Sequence, residues 1–424
     1  MAESARERPR SRASALWLLG PGLLLAATGV GGGDLATGSI VGALLGTTVL
    51  WAAVVGALLK FVVTEGLARW QLATGETLLE GVAHRLGPIA IWLFLPYLFL
   101  WSFFVGSAQM SATGIALHAM IPAFDDARTG KIVFGAAAGV VGLLMVLRGG
   151  YRLFEAAMRV CIAVMVLTVV VTAVALWPGT AAVLEGLFVP RIPADDPGAV
   201  TWTVALIGGI GGTLTVLSYG YWLREEGRSS PEDMRDCRLD LGMGYFMTAV
   251  FGVAMIIVGS SIVVEGEGTE LLVRLAERLE GVLGPFGKWL FLLGTLGTVF
   301  SSLLGVWQGV PYLFADCVGL LARHRGEAAG PVAVSTGSRA YRAYLFAIAI
   351  VPMIGLFASF REVQKIYTVS GALFFPLLAL ALLVFNGRAS WVGERFRNGP
   401  VTVAALAAVL AFFTWIAIAR IEIS

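Results

Sequence analysis

Charge is scarce in this 424-residue chain, where Asp, Glu, Lys and Arg make up 14% against about 25% in an average soluble domain. What charge there is nearly cancels, to a formal +2, so no basic field selects nucleic acid and no acidic tail is present. Cysteine is limited to Cys161, Cys237 and Cys317, too few and too scattered for a disulfide framework or a thiolate metal site, and these are read as inert packing residues. Histidine is as sparse. His84, His118 and His324 fall in or beside segments read as loops, which leaves no imidazole inside an apolar span to ligate a metal or relay protons near neutral pH. No nucleophile–base pair, Walker motif or haem motif occurs. Neither an enzyme nor a resident cofactor is expected.

Hydrophobic residues make up 58% of the chain and mean hydropathy is +0.83, so lipid is the solvent to reason with. A bilayer core about 30 Å thick needs roughly 20 apolar residues per helix. On that ruler eleven candidate spans run over 15–46, 47–68, 89–116, 132–147, 153–177, 201–222, 240–264, 286–315, 340–359, 363–386 and 400–421. The segment 1–14 is a polar tail carrying Arg6, Arg8, Arg10 and Arg12, and it reads as the cytoplasmic start of a retained first span rather than a cleaved signal. With the N-terminus inside, roughly two thirds of the Lys and Arg fall on the cytoplasmic side, and the C-terminus lies outside the cell membrane. On this topology the polar connections 223–239 and 323–339 are cytoplasmic, and 269–281 is a short external amphipathic helix whose apolar stripe packs on the spans below.

Two spans differ from the rest. The first contains Gly29-Val30-Gly31-Gly32-Gly33-Asp34, and the sixth contains Gly208-Gly209-Ile210-Gly211-Gly212-Thr213 followed by Thr215, Ser218 and Tyr219. Glycine weakens a helix interior by roughly 1 kcal/mol relative to alanine, so both clusters predict local unwinding. Unwound backbone at membrane depth is tolerated only where protein, water or a ligand satisfies its polar groups. The breaks lie five spans apart, and an odd number of spans per unit inverts the second unit. Interrupted helices at matching positions of two halves mark an inverted-repeat transporter with its site between them. The competing reading is that the glycines only let helices pack closely. The repeats are placed at 15–177 and 201–386, with an eleventh helix and C-terminus at 400–424.

Ionisable residues within spans are costly and so informative. Glu155 and Arg159 are i,i+4 neighbours and read as an intrahelical pair. Lys60 lies inside the second span, placed either to snorkel or to pair with a carboxylate. Asp34 stands just before Leu35, where the first helix is expected to resume, and aspartate there is a good N-cap. A carboxylate beside free carbonyls is equally what a hard cation prefers. The two roles are compatible.

These residues resemble a known family. The segment 20–46 (GPGLLLAATGVGGGDLATGSIVGALLG) is similar to the first span of the Nramp divalent-metal transporters, whose hallmark is Asp-Pro-Gly-Asn followed by Trp-Ala-Thr. Further likeness lies in 58–82 with its Ala-Thr-Gly turn, in 149–160 (GGYRLFEAAMRV) and in 284–309 (GPFGKWLFLLGTLGTVFSSLLGVWQG). The resemblance spans essentially the whole chain and implies an all-α membrane protein of about 11 helices, a LeuT-type 5+5 inverted repeat with helices 1 and 6 broken. Aligned on Ala36-Thr37, Gly31 falls at the family's ligand aspartate and Asp34 at its ligand asparagine. In the sixth span the family's Met-Pro-His becomes Thr215-Val216-Leu217, and its ligating carbonyl maps to Gly212. The soft thioether donor is thus gone, a change that resembles the Nramp-related magnesium transporters.

The resulting expectation is a secondary transporter in lipid whose substrate, not cofactor, is a divalent cation, a hard one such as magnesium. Asp34, Gly212 and Thr215 are its metal contacts, and Gly31, Thr213 and Ser218 line the same site. Proton coupling stays open. Two alternatives stand beside it: transport of a small organic solute drawn to exposed N–H groups, and a non-transporting sensor with a degenerate site.

Overall fold

A computed structural model describes residues 20–193, 198–262, 271–326 and 334–421. The tail 1–14, the beginning of the expected first span and residues 269–270 of the amphipathic segment lie outside them. Each expected crossing corresponds to helix. Span 1 is Pro21–Gly29 with Gly32–Leu45, and span 2 is Leu50–Thr74. Span 3 is Pro88–Met120. A 49-residue helical stretch, Ala127–Ala175, holds spans 4 and 5 as Ala127–Gly149 and Leu153–Ala175. Span 6 is Ala199–Gly209 with Ser218–Glu225, and span 7 is Met234–Gly259. Span 8 follows a kink in Leu271–His324, span 9 is Arg339–Phe357, span 10 is Phe360–Phe385 and span 11 is Pro400–Ile421. Among the described residues, 9 stretches are long and apolar enough to cross a membrane, a count in which Asp34–Thr74 is one 41-residue stretch although it carries parts of two spans.

Span 2 runs on to Thr74 rather than 68 and span 7 ends at Gly259 rather than 264, and two further boundaries differ more from the sequence expectation. The polar connection 223–239 shrinks to the short turn 226–230, because span 6 continues to Glu225 and helical structure resumes at Pro231. Charge does not end these helices. Arg224 pairs with Glu80 at 2.5 Å and Arg238 with Glu65 at 2.9 Å, so their charged ends stay helical beyond the apolar stretch. The second difference is the length of span 8, which runs on to His324 instead of ending near 315. The amphipathic helix before it is separated by Gly284, whose φ of 69° ends one helix and starts the next. Its Leu272, Leu275, Ala276 and Leu279 are buried at helical spacing, which is the packing stripe anticipated from sequence.

Spans 1 and 7 touch along their length through small residues. A Cβ on Gly22 would meet the backbone of Asp240 and Leu241, one on Gly38 would meet Met255, and one on Gly42 would meet the Ile256 carbonyl. This is the close packing that small residues permit between membrane helices. The Asp240 carboxylate accepts the Gly20, Gly22 and Leu23 amides at 3.0, 2.6 and 3.3 Å and pairs with Arg228 at 3.3 Å. It thereby supplies the orphan N–H groups at the start of span 1 with acceptors. The Glu155–Arg159 pair forms as expected.

Candidate substrate site between two broken helices

Both breaks form, and they touch. Span 1 unwinds at Val30 and Gly31, and span 6 between Ile210 and Thr213, where Gly211 and Gly212 take φ of 73° and 89°. Those angles lie in the region open to glycine and strained for other residues. A Cβ on Gly29 would strike the Gly211 carbonyl and the Gly212 amide, so the approach of one break to the other requires glycine on both sides.

Several groups of the unwound backbone find partners. In break 1, the Ala26 and Gly29 carbonyls accept from Val30 and Gly31 at 2.6 and 2.9 Å. The Ala27 and Thr28 carbonyls accept from the hydroxyls of Ser301 and Ser302 in span 8 at 3.4 and 2.7 Å. In break 6, the Gly211 amide donates to Asp34 Oδ2 at 2.8 Å. Lys60 Nζ donates to the Gly208 carbonyl at 2.8 Å and to the Gly212 carbonyl. Spans 2 and 8 thus supply side chains for backbone that spans 1 and 6 have released.

Asp34 departs from the role of helix N-cap. Span 1 resumes at Gly32, three residues earlier than a cap at Asp34 implies, and Gly31 occupies the cap position. The carboxylate instead sits in the first turn, 3% exposed, and reaches across to break 6. Aspartate in a first turn also faces the positive end of its own helix dipole. Gly31, aligned with the family's ligand aspartate, lies against Ser302, so a side chain there would collide with Ser302 Cβ and Oγ. Span 8 fills the space that a carboxylate at this position would need.

The remaining predicted residues divide. Thr215 Oγ1 lies 2.7 Å from where a Gly212 Cβ would stand and is buried with no hydrogen-bond partner among the described residues, which leaves its lone pairs available beside Gly212. Thr213 Oγ1 accepts the Trp101 indole N–H at 2.9 Å. Ser218 packs one turn further along, against Gly309 of span 8. Sequence reasoning missed Trp101, Ser302 and Phe375, and left the role of Lys60 open. For Lys60 the signal was present, a lone base in an apolar span; for the others nothing in a single sequence sets one core residue apart from the next. Among the described residues no group of three or more His, Cys, Asp or Glu side chains is placed to hold a metal. Any cation here would be held by one carboxylate, backbone carbonyls and hydroxyls.

Two broken half-helix pairs in contact at the centre of an all-helical bundle define a multi-pass membrane protein of LeuT-type architecture. Residues 22–421 match the family described as natural resistance-associated macrophage protein-like, Nramp, and the chain belongs to that family. It is 24% identical over 408 residues to the divalent metal cation transporter MntH of Aeromonas hydrophila, across 92% of this chain and 91% of the relative. To MntH of Mycobacterium tuberculosis it is 26% identical over 323 residues, 72% of each chain. These relatives are transporters, not enzymes. A solved manganese transporter of Eremococcus coleocola, in complex with an aromatic bis-isothiourea compound, superposes with a TM-score of 0.73 at 18% identity, over 98% of this chain and 89% of that one. MhsT in complex with L-phenylalanine superposes with 0.59 at 16% identity, over 97% and 98%. Both share the fold.

Proposed function

We propose that the chain is a secondary transporter that carries a divalent cation across the cell membrane by alternating access, through the site between its broken first and sixth spans. The observation that carries this reading is the Asp34 carboxylate, buried and bonded to the Gly211 amide, in the same break as Gly212, against which the Thr215 hydroxyl packs. The MntH names of its relatives support the same substrate class. All donors in this set are oxygens, so the cargo is a hard ion such as magnesium, for which oxygen ligands are preferred and which keeps several of its waters. The two repeats are 15–177 and 201–386, with the N-terminus cytoplasmic and the C-terminus external. The test is uptake by purified protein in liposomes across magnesium, manganese, calcium and zinc, with and without a pH gradient. Saturable flux of at least one of these ions is expected, and no flux of any would refute the reading.

A second reading has one observation in its favour. Lys60 Nζ donates to the Gly212 carbonyl, and a base that offsets Asp34 removes the electrostatic objection to a small organic solute. Flux of labelled amino acids in the same liposomes, without flux of cations, would select it.

A further inference from the structure

We propose that the Lys60 ammonium is a tethered cation that holds the carbonyl seat of broken span 6, so that a diffusible divalent cation binds only by displacing it. The inference rests on the cation-transport reading above and adds a residue that sets its affinity.

The seat exists because of the break. In an unbroken helix the Gly208 carbonyl would accept from the amide four residues on, at Gly212, and the Gly212 carbonyl from the amide at Val216. With Gly212 at φ 89° the first of these is lost, and the Val216 amide turns to Thr213 instead, at 3.3 Å. Two carbonyls are thereby left pointing into the bundle, and Lys60 Nζ reaches both. Lys60 is 1% exposed and extends from span 2, which is otherwise apolar at that depth. An ammonium has three N–H donors and no acceptor. Two go to the carbonyls, and the head also lies 3.7 Å from the centroid of the Phe375 ring, a cation–π contact. The Asp34 carboxylate is its electrostatic counterpart.

The Lys60 head therefore occupies oxygen ligands that a hard metal ion would take, two backbone carbonyls, with the Asp34 carboxylate bonded to the same break, at a place closed to water. A second cation entering beside it meets like-charge repulsion in a medium of low dielectric and competes with it for the Gly208 and Gly212 carbonyls. The four-carbon stem is flexible, so the head can withdraw without movement of span 2. Removing the charge should leave Gly208, Gly212 and Asp34 without their cation, and a divalent ion in solution is the group best able to replace it.

The experiment is equilibrium binding of magnesium and of manganese to purified protein in detergent, for the parent and for Lys60→Leu, Lys60→Gln and Lys60→Arg, with thermal unfolding in ion-free buffer as the folding control. Lys60→Gln keeps one donor for a carbonyl and covers the case in which Lys60→Leu does not fold. Both neutral variants are expected to bind divalent ions at least tenfold more tightly than the parent and to gain thermal stability on ion addition, while Lys60→Arg binds no more tightly than the parent. A folded neutral variant with unchanged affinity, in a parent that transports cations in liposomes, overturns the inference alone. A parent without divalent flux whose neutral variants nevertheless bind ions overturns the transport reading and leaves the tethered cation standing. No binding by any folded form overturns both.

Discussion

The Asp34 carboxylate of span 1 and the Gly211 amide of span 6 are 2.8 Å apart, although 177 residues separate them in the chain. One side chain thus serves as acceptor for the opposite break and as the only acidic group facing it among the predicted site residues. Substitution with asparagine separates the two roles, because its amide oxygen can still accept from Gly211 while the charge is gone. Asp34→Asn is expected to abolish divalent flux in liposomes and to leave expression and unfolding temperature near those of the parent. Undiminished flux would reduce Asp34 to a structural tie and bring the small-solute reading forward.

Thr215 brings a hydroxyl up against Gly212, where a side chain on that glycine would stand. A thioether there adds a soft donor, which favours later and softer metals over magnesium. Thr215→Met is therefore expected to shift the flux preference toward manganese or cadmium, read as the ratio of initial rates in a competition assay. An unchanged ratio would place Thr215 outside the ligand set.

Much of this arrangement is legible in the sequence, because glycine clusters and apolar lengths are local signals. The two breaks, their five-span separation and the buried Asp34 all follow from residues read in place. The helix boundaries at 225 and 231 do not, since Arg224 and Arg238 look like loop residues until Glu80 and Glu65 arrive from distant segments to pair with them. The same holds for Lys60. Its carbonyl partners come 148 and 152 residues later, and no periodicity encodes such a meeting. Ser302 in the space beside Gly31 is likewise a tertiary fact, which explains a missing ligand that alignment of motifs can only record.

Asp240 gathers three amides from the start of span 1 as well as Arg228, and it is 1% exposed. Truncation would orphan buried donors and leave a guanidinium without its partner, a loss of about 3–5 kcal/mol for a buried pair broken on one side. Asp240→Ala is expected to lower the unfolding temperature and to speed hydrogen exchange over residues 20–29. Asp240→Asn, which retains two acceptor lone pairs, should fall between the two. Equal stability of Asp240→Ala and the parent would mean that the seam with span 7 alone fixes the first half-helix.

Ser230 lies in the short turn between spans 6 and 7, on the side that carries most of the arginines. With that side cytoplasmic, a Ser230→Cys variant should resist membrane-impermeant thiol reagents in intact cells and react after permeabilisation. Labelling from outside would reverse the topology.

Asp34 and Lys60 both bond to the backbone of break 6, and this bears on how the proposed carrier would answer to voltage. One acid and one base bonded to the same break sum to zero when both are charged or both are neutral, so on the proposed mechanism the empty form would turn over without moving charge through the field. A bound divalent ion adds two charges to the loaded step alone. Each is worth about 2.3 kcal/mol per 100 mV if it crosses the full membrane potential, so in the proposed carrier a negative interior would draw the loaded form inward and leave the return of the empty form unassisted and unopposed. Neutralising Lys60 alone would leave the empty form with a net negative charge, whose outward return the same field would assist, while the loaded form would carry one charge fewer inward.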